Sequence, residues 1–491
     1  MKLFTASLYL LILFCLVITV KVIANEQYVI HHSTFIGGEG TDDCDTVTID
    51  HSGNTLLGCH STSRYLANKK LDRFNHKGGM DAFVIKINKH SNNIDFITRL
   101  GGDEWEGVQG LATDASGNIY AVGSTYSSNF PTSANAQQIK FAGKSDAFLI
   151  KLNQHGEIIW STLFGGAGDE DGRNLVLDDH GNIHIIGRTN SKDLTVTEDA
   201  IQPDLAGQTD AFIASFTPQG RLLFSSYLGG KGYDKGFDIK LLSSGKKALI
   251  GSTDSIDFPV KNAIYHHPFG QEDMFVVLLN DKNNQIEFAT YIGGAGIDTG
   301  VSIIIDSQDN ILAVGQTHSP NMSGGHHIQK KRLKGKSDVF IVKINSKTHT
   351  LTNLDYLGGS GIDRPRNALV DDSDNIIIIG QTNSEALHFN DSVTAKPLGI
   401  WGNIKQYFKT YFDDNYDNGF IIKLDNNGSQ VLLSAVLGGN KTDVFEGAVI
   451  DKHNMLTVTG LSNSHNFETI KPLQSEFKGG RFDIILMKIK L

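Results

Sequence analysis

The 491-residue sequence has only three cysteines and only three tryptophans. Its formal net charge is −10, which argues against a nucleic-acid partner because such proteins neutralise phosphates with Lys and Arg. No Gly-x-Ser-x-Gly elbow, P-loop or Cys-x-x-Cys motif occurs. The sequence therefore indicates no catalytic residue, no metal ligand and no cofactor.

Long hydrophobic runs are also scarce, and the one that could cross a bilayer lies at the N-terminus. Lys2 precedes an apolar stretch over residues 3–20, and Ala24 is a small residue at a suitable cleavage position. We predict a signal peptide over residues 1–24. The alternative is an uncleaved anchor, the only expected membrane contact, since this stretch has the minimum length of a span. Both forms predict an exported protein that is periplasmic, on the cell surface or secreted.

What the sequence does contain is a repeated Gly-Gly pair with an acid five residues after its first glycine. The pairs begin at Gly37, Gly101, Gly165, Gly229, Gly293, Gly358 and Gly438. The corresponding acids are Asp42, Glu106, Glu170, Asp234, Asp298, Asp363 and Asp443. The successive steps are 64, 64, 64, 64, 65 and 80 residues. A fixed internal period of this kind is typical of repeat architectures that form one body.

Each unit predicts four short strands and no helix. In the second unit the strands are expected at 107–114, 119–122, 146–152 and 158–164, separated by turn residues. Four such strands make one antiparallel sheet. Seven sheets in one chain predict an all-β, seven-bladed β-propeller that forms a single domain over residues 25–491.

Two positions in the unit test this interpretation. The hairpin position after the first strand is filled by residues that tolerate positive φ: Gly53, Gly117, Gly181, Gly245, Asp309, Asp374 and Asn454. The end of the second strand is always glycine: Gly58, Gly123, Gly187, Gly251, Gly315, Gly380 and Gly460. Invariant glycine predicts either positive φ or a close approach of another backbone.

Ring closure is visible at the two ends of the chain. The seventh unit ends after its third strand, at residues 483–491, and lacks a fourth. The run 29–36 precedes the first Gly-Gly pair and fits the fourth-strand position. We therefore expect the N-terminal strand to complete the last blade.

These motifs resemble the SBBP β-propeller repeat family of bacterial exported proteins. The shared pattern is Tyr-Leu-Gly-Gly-x-Gly-x-Asp, Asp-x-x-Gly-Asn, Gly-x-Thr-x-Ser, Phe-Pro and Asp-Ala-Phe-x-x-Lys-Leu, found here at 356–363, 114–118, 123–127, 130–131 and 146–152. The resemblance implies a seven-bladed propeller at or outside the cell surface, without a general catalytic constellation. One departure is Asn418, which replaces the Asp at the start of the third strand.

Alternating strand directions place two sets of acids on one face of the propeller. The second set begins the third strands at Asp81, Asp146, Asp210, Asp273, Asp338 and Asp483. One interpretation is a cation site or an acidic docking rim. The other is a set of latches in which each acid accepts backbone N–H groups. The presence of a first-strand acid in all seven units favours the latch.

A calcium site is a separate alternative. The stretch 293–298 resembles the calcium nonapeptide of toxin-type β-rolls. That site needs copies stacked nine residues apart, whereas these copies recur about every 64 residues. No metal or cofactor is therefore expected.

The sixth unit carries an insertion over residues 385–417. Its aromatic residues at near-helical spacing could form a binding surface: Trp401, Tyr407, Phe408, Tyr411 and Phe412. Equally, they could form a short helix that packs flat on the blade edge. The insertion breaks the symmetry, and it is our candidate for a partner contact.

After removal of the leader two cysteines remain, Cys44 and Cys59. The first hairpin places them roughly opposite one another, so a disulfide is expected in an exported protein. Two buried free thiols are the alternative.

The function favoured by these observations is a non-catalytic exported scaffold that binds a protein or a surface glycan through one loop face. Two alternatives remain: an enzyme with its site at the mouth of the central channel, or a calcium-dependent or carbohydrate-binding surface module. An enzyme predicts non-repeating polar residues on the innermost strands. A scaffold predicts irregularity in the outer loops and the insertion.

Overall fold

Strands account for all the regular structure in the part of the chain that is described. The computed structural model describes residues 28–67, 69–70, 79–282, 284–322, 333–385, 387–390, 393–395 and 416–491. The strands are β1 (Val29–Ile36), β2 (Asp42–Ile49), β3 (Thr55–Ser61), β4 (Tyr65–Leu66), β5 (Lys69–Lys70), β6 (Asp81–Ile87), β7 (Ile94–Leu100), β8 (Glu106–Thr113), β9 (Ile119–Thr125), β10 (Asp146–Leu152), β11 (Ile158–Phe164), β12 (Glu170–Leu177), β13 (Ile183–Thr189), β14 (Asp210–Phe216), β15 (Leu222–Leu228), β16 (Asp234–Leu241), β17 (Lys247–Thr253), β18 (Asp273–Leu279), β19 (Ile286–Ile292), β20 (Asp298–Ile305), β21 (Ile311–Thr317), β22 (Asp338–Asn345), β23 (Thr350–Leu357), β24 (Asp363–Val370), β25 (Ile376–Thr382), β26 (Leu387–Asn390), β27 (Val393–Ala395), β28 (Asn418–Leu424), β29 (Val431–Leu437), β30 (Asp443–Ile450), β31 (Met455–Ser462) and β32 (Asp483–Lys490). Within these ranges no helix has the length and apolar character needed to cross a membrane.

Seven antiparallel four-stranded sheets form the blades, as predicted. Blade 1 is β2-β3-β6-β7, blades 2 to 5 are the consecutive quartets from β8 to β23, and blade 6 is β24-β25-β28-β29. Blade 7 is β30-β31-β32-β1, so the N-terminal strand supplies the fourth strand of the last blade. The register of that pairing runs from Ile36 opposite Ile484 to Val29 opposite Lys490. The predicted closure is thus confirmed.

The first strand of each blade is innermost. First strands of neighbouring blades pack on one another around the complete ring, from β2 on β8 to β30 on β2. They consequently surround the central channel of the propeller. The apolar core lies between blades: Phe164 of blade 2, for example, contacts Phe212 and Phe216 of blade 3 at ring-centroid distances of 5.5 and 5.7 Å.

Both glycine-rich positions have a clear structural cause. All seven residues of the hairpin position have positive φ, including Asp309 at 64°, Asp374 at 59° and Asn454 at 56°. The invariant glycine of the second strand instead reflects a close approach. A Cβ at Gly123 would collide with the carbonyl oxygen of Gly107 and the ring of Phe148, opposite a bulge in the first strand. Of the two expected reasons for glycine, steric crowding applies here.

Candidate functional site

The acid of each Gly-Gly motif bonds to its own loop. In blade 5, Asp298 accepts the backbone N–H of Gly294 at 2.6 Å and the hydroxyl of Ser319 at 2.7 Å. Ser319 Oγ in turn accepts the N–H of Gly296 at 2.8 Å. The equivalent backbone bond recurs in every blade, with Gly38, Gly102, Gly166, Gly230, Gly294, Gly359 and Gly439 as donors. The serine of the Gly-x-Thr-x-Ser motif, after the second strand, is thus part of the same hydrogen-bonded loop.

None of these seven carboxylates is exposed. Each has 0 % solvent exposure, and burial raises the pKa of all seven, to about 6 for Asp234 and Asp443. Hydrogen bonds from the loop act in the opposite direction on the pKa values. Since a partner cannot contact buried carboxylates, this set does not form an exposed acidic rim. The bonds are those of a repeated loop latch.

The acid of the third strand lies beside the acid of the next blade. Asp273 accepts the N–H of Phe269 at 2.5 Å, and burial together with the charge of Asp298 raises its pKa to about 6. The same electrostatic coupling joins Asp81 to Glu106, Asp146 to Glu170, Asp210 to Asp234, Asp338 to Asp363 and Asp483 to Asp42. At the seventh boundary Asn418 replaces the aspartate beside Asp443. The amide removes one charge from a place where two carboxylates otherwise meet.

The latch leads to a stability prediction for Ser319→Ala. The change leaves the N–H of Gly296 without its acceptor and removes one donor from buried Asp298. We expect the free energy of unfolding to fall by about 1–3 kcal/mol, the typical cost of an unsatisfied buried polar group. Chemical denaturation would measure the change. The exposed Ser116→Ala serves as the control, and equal stability of the two variants would contradict a latch.

The mouth of the channel departs from the sevenfold repeat. Residues one and three of the first strands are buried throughout, so residues two and four point to the opposite side, toward the channel. Residue two is Asp43, Gly107, Asp171, Lys235, Thr299, Arg364 or Val444, and residue four is Asp45, Gln109, Arg173, Phe237, Val301, Arg366 or Glu446. These positions are mostly polar and differ from blade to blade.

Hydrogen bonds and ion pairs link these side chains between neighbouring blades. Gln109 donates to Asp45 at 3.3 Å, Arg173 donates to Gln109 at 3.4 Å, and Arg366 lies 3.4 Å from Glu446. Contacts between successive fourth residues require these side chains to converge on the axis. These contacts form an incomplete polar ring over blades 6, 7, 1, 2 and 3, and the apolar Phe237 and Val301 occupy the same position in blades 4 and 5.

Acidic groups collect on one side of this ring. His60 of β3 lies 3.7 Å from Asp43 and 3.5 Å from Asp45. Burial and the neighbouring charges of Asp45 and Glu446 raise the pKa of Asp43 well above its usual range. Burial also raises the pKa of Glu446 to about 7, against the opposing effect of Arg366. Perturbed carboxyl groups in a cleft are typical of functional sites.

Basic groups lie on the other sides of the ring. The carboxylate of Asp171 forms ion pairs with Arg173 at 2.7 Å and with Arg188 of β13 at 3.2 Å. On blade 6, Arg366 donates to Gln381 at 2.8 Å. These guanidinium groups are 30 to 43 % exposed, so they remain accessible to a ligand.

A pocket of about 390 Å³ opens between blades 2 and 3 on the Gly-Gly face. Its walls include Trp105, Tyr126, Gln109, Asp171 and Arg173. Sites for small ligands usually have volumes of about 300–1,000 Å³ and a few convergent polar groups. The pocket and the polar ring share residues and form one continuous candidate site.

The other residues singled out in the sequence lie elsewhere. Cys44 and Cys59 face one another across β2 and β3 and are joined by a disulfide. The aromatic residues of the insertion lie outside the described residues, as does the leader over 1–24. In the described ranges no group of three or more His, Cys, Asp or Glu side chains has the geometry of a metal site.

Sequence reasoning named the channel mouth only as an alternative site and identified none of its residues. Its residues occupy two positions of the first strand and differ in chemistry from blade to blade. An alignment of the seven first strands gives only a weak signal, because the third and fifth residues vary as well as the second and fourth. Only the ring arrangement shows that these positions meet.

A model of the SBBP family, described as a beta-propeller repeat, matches residues 95–131, 159–195 and 287–321. No curated protein matches the chain significantly.

Among solved structures, a protein of unknown function from Dyadobacter fermentans is 13 % identical, with a TM-score of 0.43 and coverage of 95 % of this chain and 100 % of that one. The Dos1 propeller is 11 % identical, with a TM-score of 0.44 and coverage of 94 and 95 %. The polysaccharide lyase Uly1 is 10 % identical, with a TM-score of 0.45 and coverage of 92 and 90 %. Similarities this weak carry no functional argument. The chain is thus a seven-bladed β-propeller in which three stretches match the SBBP beta-propeller repeat.

Proposed function

We propose that the protein is an exported binding scaffold that takes its ligand at the channel mouth on the Gly-Gly face. The observation that carries the proposal is the location of the non-repeating polar residues. The loops are held by the same latch in all seven blades, whereas the residues that face the channel differ in every blade. A specific ligand site has to break the symmetry of the ring, and the symmetry is broken at the mouth.

Non-repeating polar residues on the innermost strands are the pattern expected of an enzyme. Most of these charges are already paired, however, and this favours binding over catalysis as the primary role. Arg173 and Arg188 hold Asp171, and Arg366 holds Gln381. Such contacts fix the side chains in place before a ligand arrives, which reduces the entropy lost on binding. A partner whose surface carries both charges and hydrogen-bonding groups fits this arrangement.

Acid–base catalysis at the same mouth is a second candidate, and the carboxyl groups of Glu446 and Asp43 favour it. A pKa of about 7 for Glu446 suits a group that gives and takes protons near neutral pH. The enzyme would be distinguished by a Glu446→Gln variant that still binds the ligand but no longer converts it.

The insertion over residues 385–417 stays a proposed additional contact. It connects β25 to β28, and second-to-third connections emerge on the Gly-Gly face. Since β25 ends and β28 begins on the same face as the mouth, the proposal is that the insertion and the mouth contact one partner.

The test of this proposal is partner capture with immobilised protein from an envelope extract and from culture fluid. We expect Arg366→Ala to recover at least tenfold less partner than the wild type, at an unchanged melting temperature. Lys347→Ala, an exposed change at the opposite face, should recover the wild-type amount. Deletion of 385–417 measures the contribution of the insertion. Equal recovery by Arg366→Ala and Lys347→Ala would overturn the proposed site.

A further inference from the structure

One loop on the Gly-Gly face lacks a side-chain hydrogen bond that most of its counterparts keep. In blade 3, the side chain of Asn190 accepts the N–H of Asp169 at 2.7 Å. Blades 4, 6 and 7 repeat this bond with Asp254, Asn383 and Asn463. In blade 2 the acceptor position is Tyr126, and the residue that it would hold is Trp105. In blade 2 the aromatic pair Trp105 and Tyr126 thus replaces the side-chain hydrogen bond to the loop N–H.

Space for the indole comes from a second departure on the innermost strand. Trp105 lies over Gly107, where an added Cβ would be only 2.7 Å from the indole Cη2 atom. Other blades carry larger side chains at that position, such as Asp171 and Lys235. The ring centroid of Trp105 is 5.9 Å from that of His60 and 5.7 Å from that of Tyr126. Three coordinated differences therefore place one indole at the channel mouth.

The wall opposite the indole consists of flat polar groups. Gln109, Asp171, Arg173, Arg188 and Asn190 line the same pocket of about 390 Å³. An amide, a carboxylate and a guanidinium can each bind two neighbouring hydroxyl groups at once, because each presents two donors or acceptors in one plane. An aromatic face binds the opposite, C–H-rich side of a ligand ring. Tyr126, at 48 % exposure, extends this surface outward.

We infer that the pocket between blades 2 and 3 binds a saccharide, with a pyranose ring stacked on Trp105 and its hydroxyl groups bonded to Gln109, Asp171 and Arg173. This inference rests on the proposed function and specifies its ligand class. A purely apolar ligand would displace water from the polar wall without replacing the hydrogen bonds of that water, which is costly. A simple anion would make no use of the aromatic pair.

Isothermal titration with soluble oligosaccharides tests the inference, using cello-, xylo-, chito- and uronate oligomers as probes. We expect at least one class to bind the wild type and Trp105→Ala to weaken that binding at least tenfold. Trp105→Phe should retain most of the affinity, because it keeps an aromatic face. Tyr233→Ala is the matched control: Tyr233 occupies the same loop position in blade 4, is 43 % exposed and lies outside the pocket.

Absence of binding by the wild type to every probe, or equal affinity of the wild type and Trp105→Ala, would overturn the saccharide inference. Partner capture that still depends on Arg366 would then leave the proposed mouth site standing with a different ligand. If no saccharide binds and partner capture does not depend on Arg366 either, the mouth is rejected as a binding site.

Discussion

A chain without residues 28–36 is expected to lose the closed ring and most of its stability. The deletion removes β1, and with it the complete ladder to β32. It also removes buried Phe35 and Ile36, whose exposed fractions are 1 and 0 %. Burial of such side chains contributes about 1.5–3 kcal/mol each, and net stabilities of domains are about 5–15 kcal/mol. The remaining three-stranded blade would also expose the edge of β32 to aggregation.

Thermal melting and limited proteolysis of the purified protein would measure this effect. A synthetic peptide with the sequence of residues 28–36 should restore part of the melting temperature when added in excess, since it binds only the folded ring. Val29→Ala, at a position with 55 % exposure, is the control and should melt close to the wild type. A deletion variant with wild-type melting and protease resistance would show that closure does not stabilise the ring.

Asp273→Asn is expected to stabilise the protein at pH 8, and its effect should become smaller as the pH falls toward 4. The pKa of Asp273 is raised to about 6 by burial and by the charge of Asp298, above the value of an unfolded chain, about 3.9. Its contribution to stability is therefore present below the unfolded pKa and is lost as the pH rises through about 6. Removal of this buried negative charge should raise the free energy of unfolding by about 1–3 kcal/mol at pH 8. Asn418 shows that the fold accepts an amide at the equivalent position.

The wild type should accordingly be more stable at pH 5 than at pH 8. Besides Asp273, burial raises the pKa of further carboxyl groups to about 6 or 7: Asp146, Asp234, Asp338, Asp443, Glu446 and Asp483. Two histidines act in the opposite direction, since burial lowers the pKa of His32 and His184 to about 4 and their contribution is lost as the pH falls below 6.5. The carboxyl groups outnumber them and should set the net slope.

Denaturant unfolding across this pH range would check both statements. Asp81→Asn is the matched control, because Asp81 occupies the same position in blade 1 but pairs with Arg99 at 2.5 Å. Loss of that ion pair should destabilise the protein at pH 8, opposite to the effect of Asp273→Asn. Equal pH slopes for Asp273→Asn and the wild type would contradict the proposed repulsion between paired carboxylates.

The regular part of the molecule was predictable because its causes are local. Positive φ at Asp309 and Asn454 follows from the geometry of a β-hairpin turn, and only a few residue types, mainly Gly, Asn and Asp, tolerate that conformation. Strand β1 was recognisable because the fourth-strand pattern recurs in every unit and only the last unit lacks one. Where two local causes gave the same residue, as at Gly123, the sequence could not distinguish them.

Side chains whose role depends on distant neighbours could not be interpreted in this way. Asp298 and Asp273 are 25 positions apart, and no local pattern shows that burial at a blade boundary raises both pKa values. Arg366 and Glu446 are 80 positions apart, yet 3.4 Å separate their charged atoms. Their proximity follows from the closure of the ring.

By itself, the amino-acid sequence determined the number of blades, the strand boundaries and the way the ends of the chain meet, since each repeat encodes its own turns and strands. The tertiary structure alone decided that the repeated acids are buried latches and that the irregular residues gather at one channel mouth. The physical reason is that solvent exposure and charge–charge distance depend on how sheets pack around an axis. A repeat that specifies one blade contains no information on which side chains will face each other across the ring.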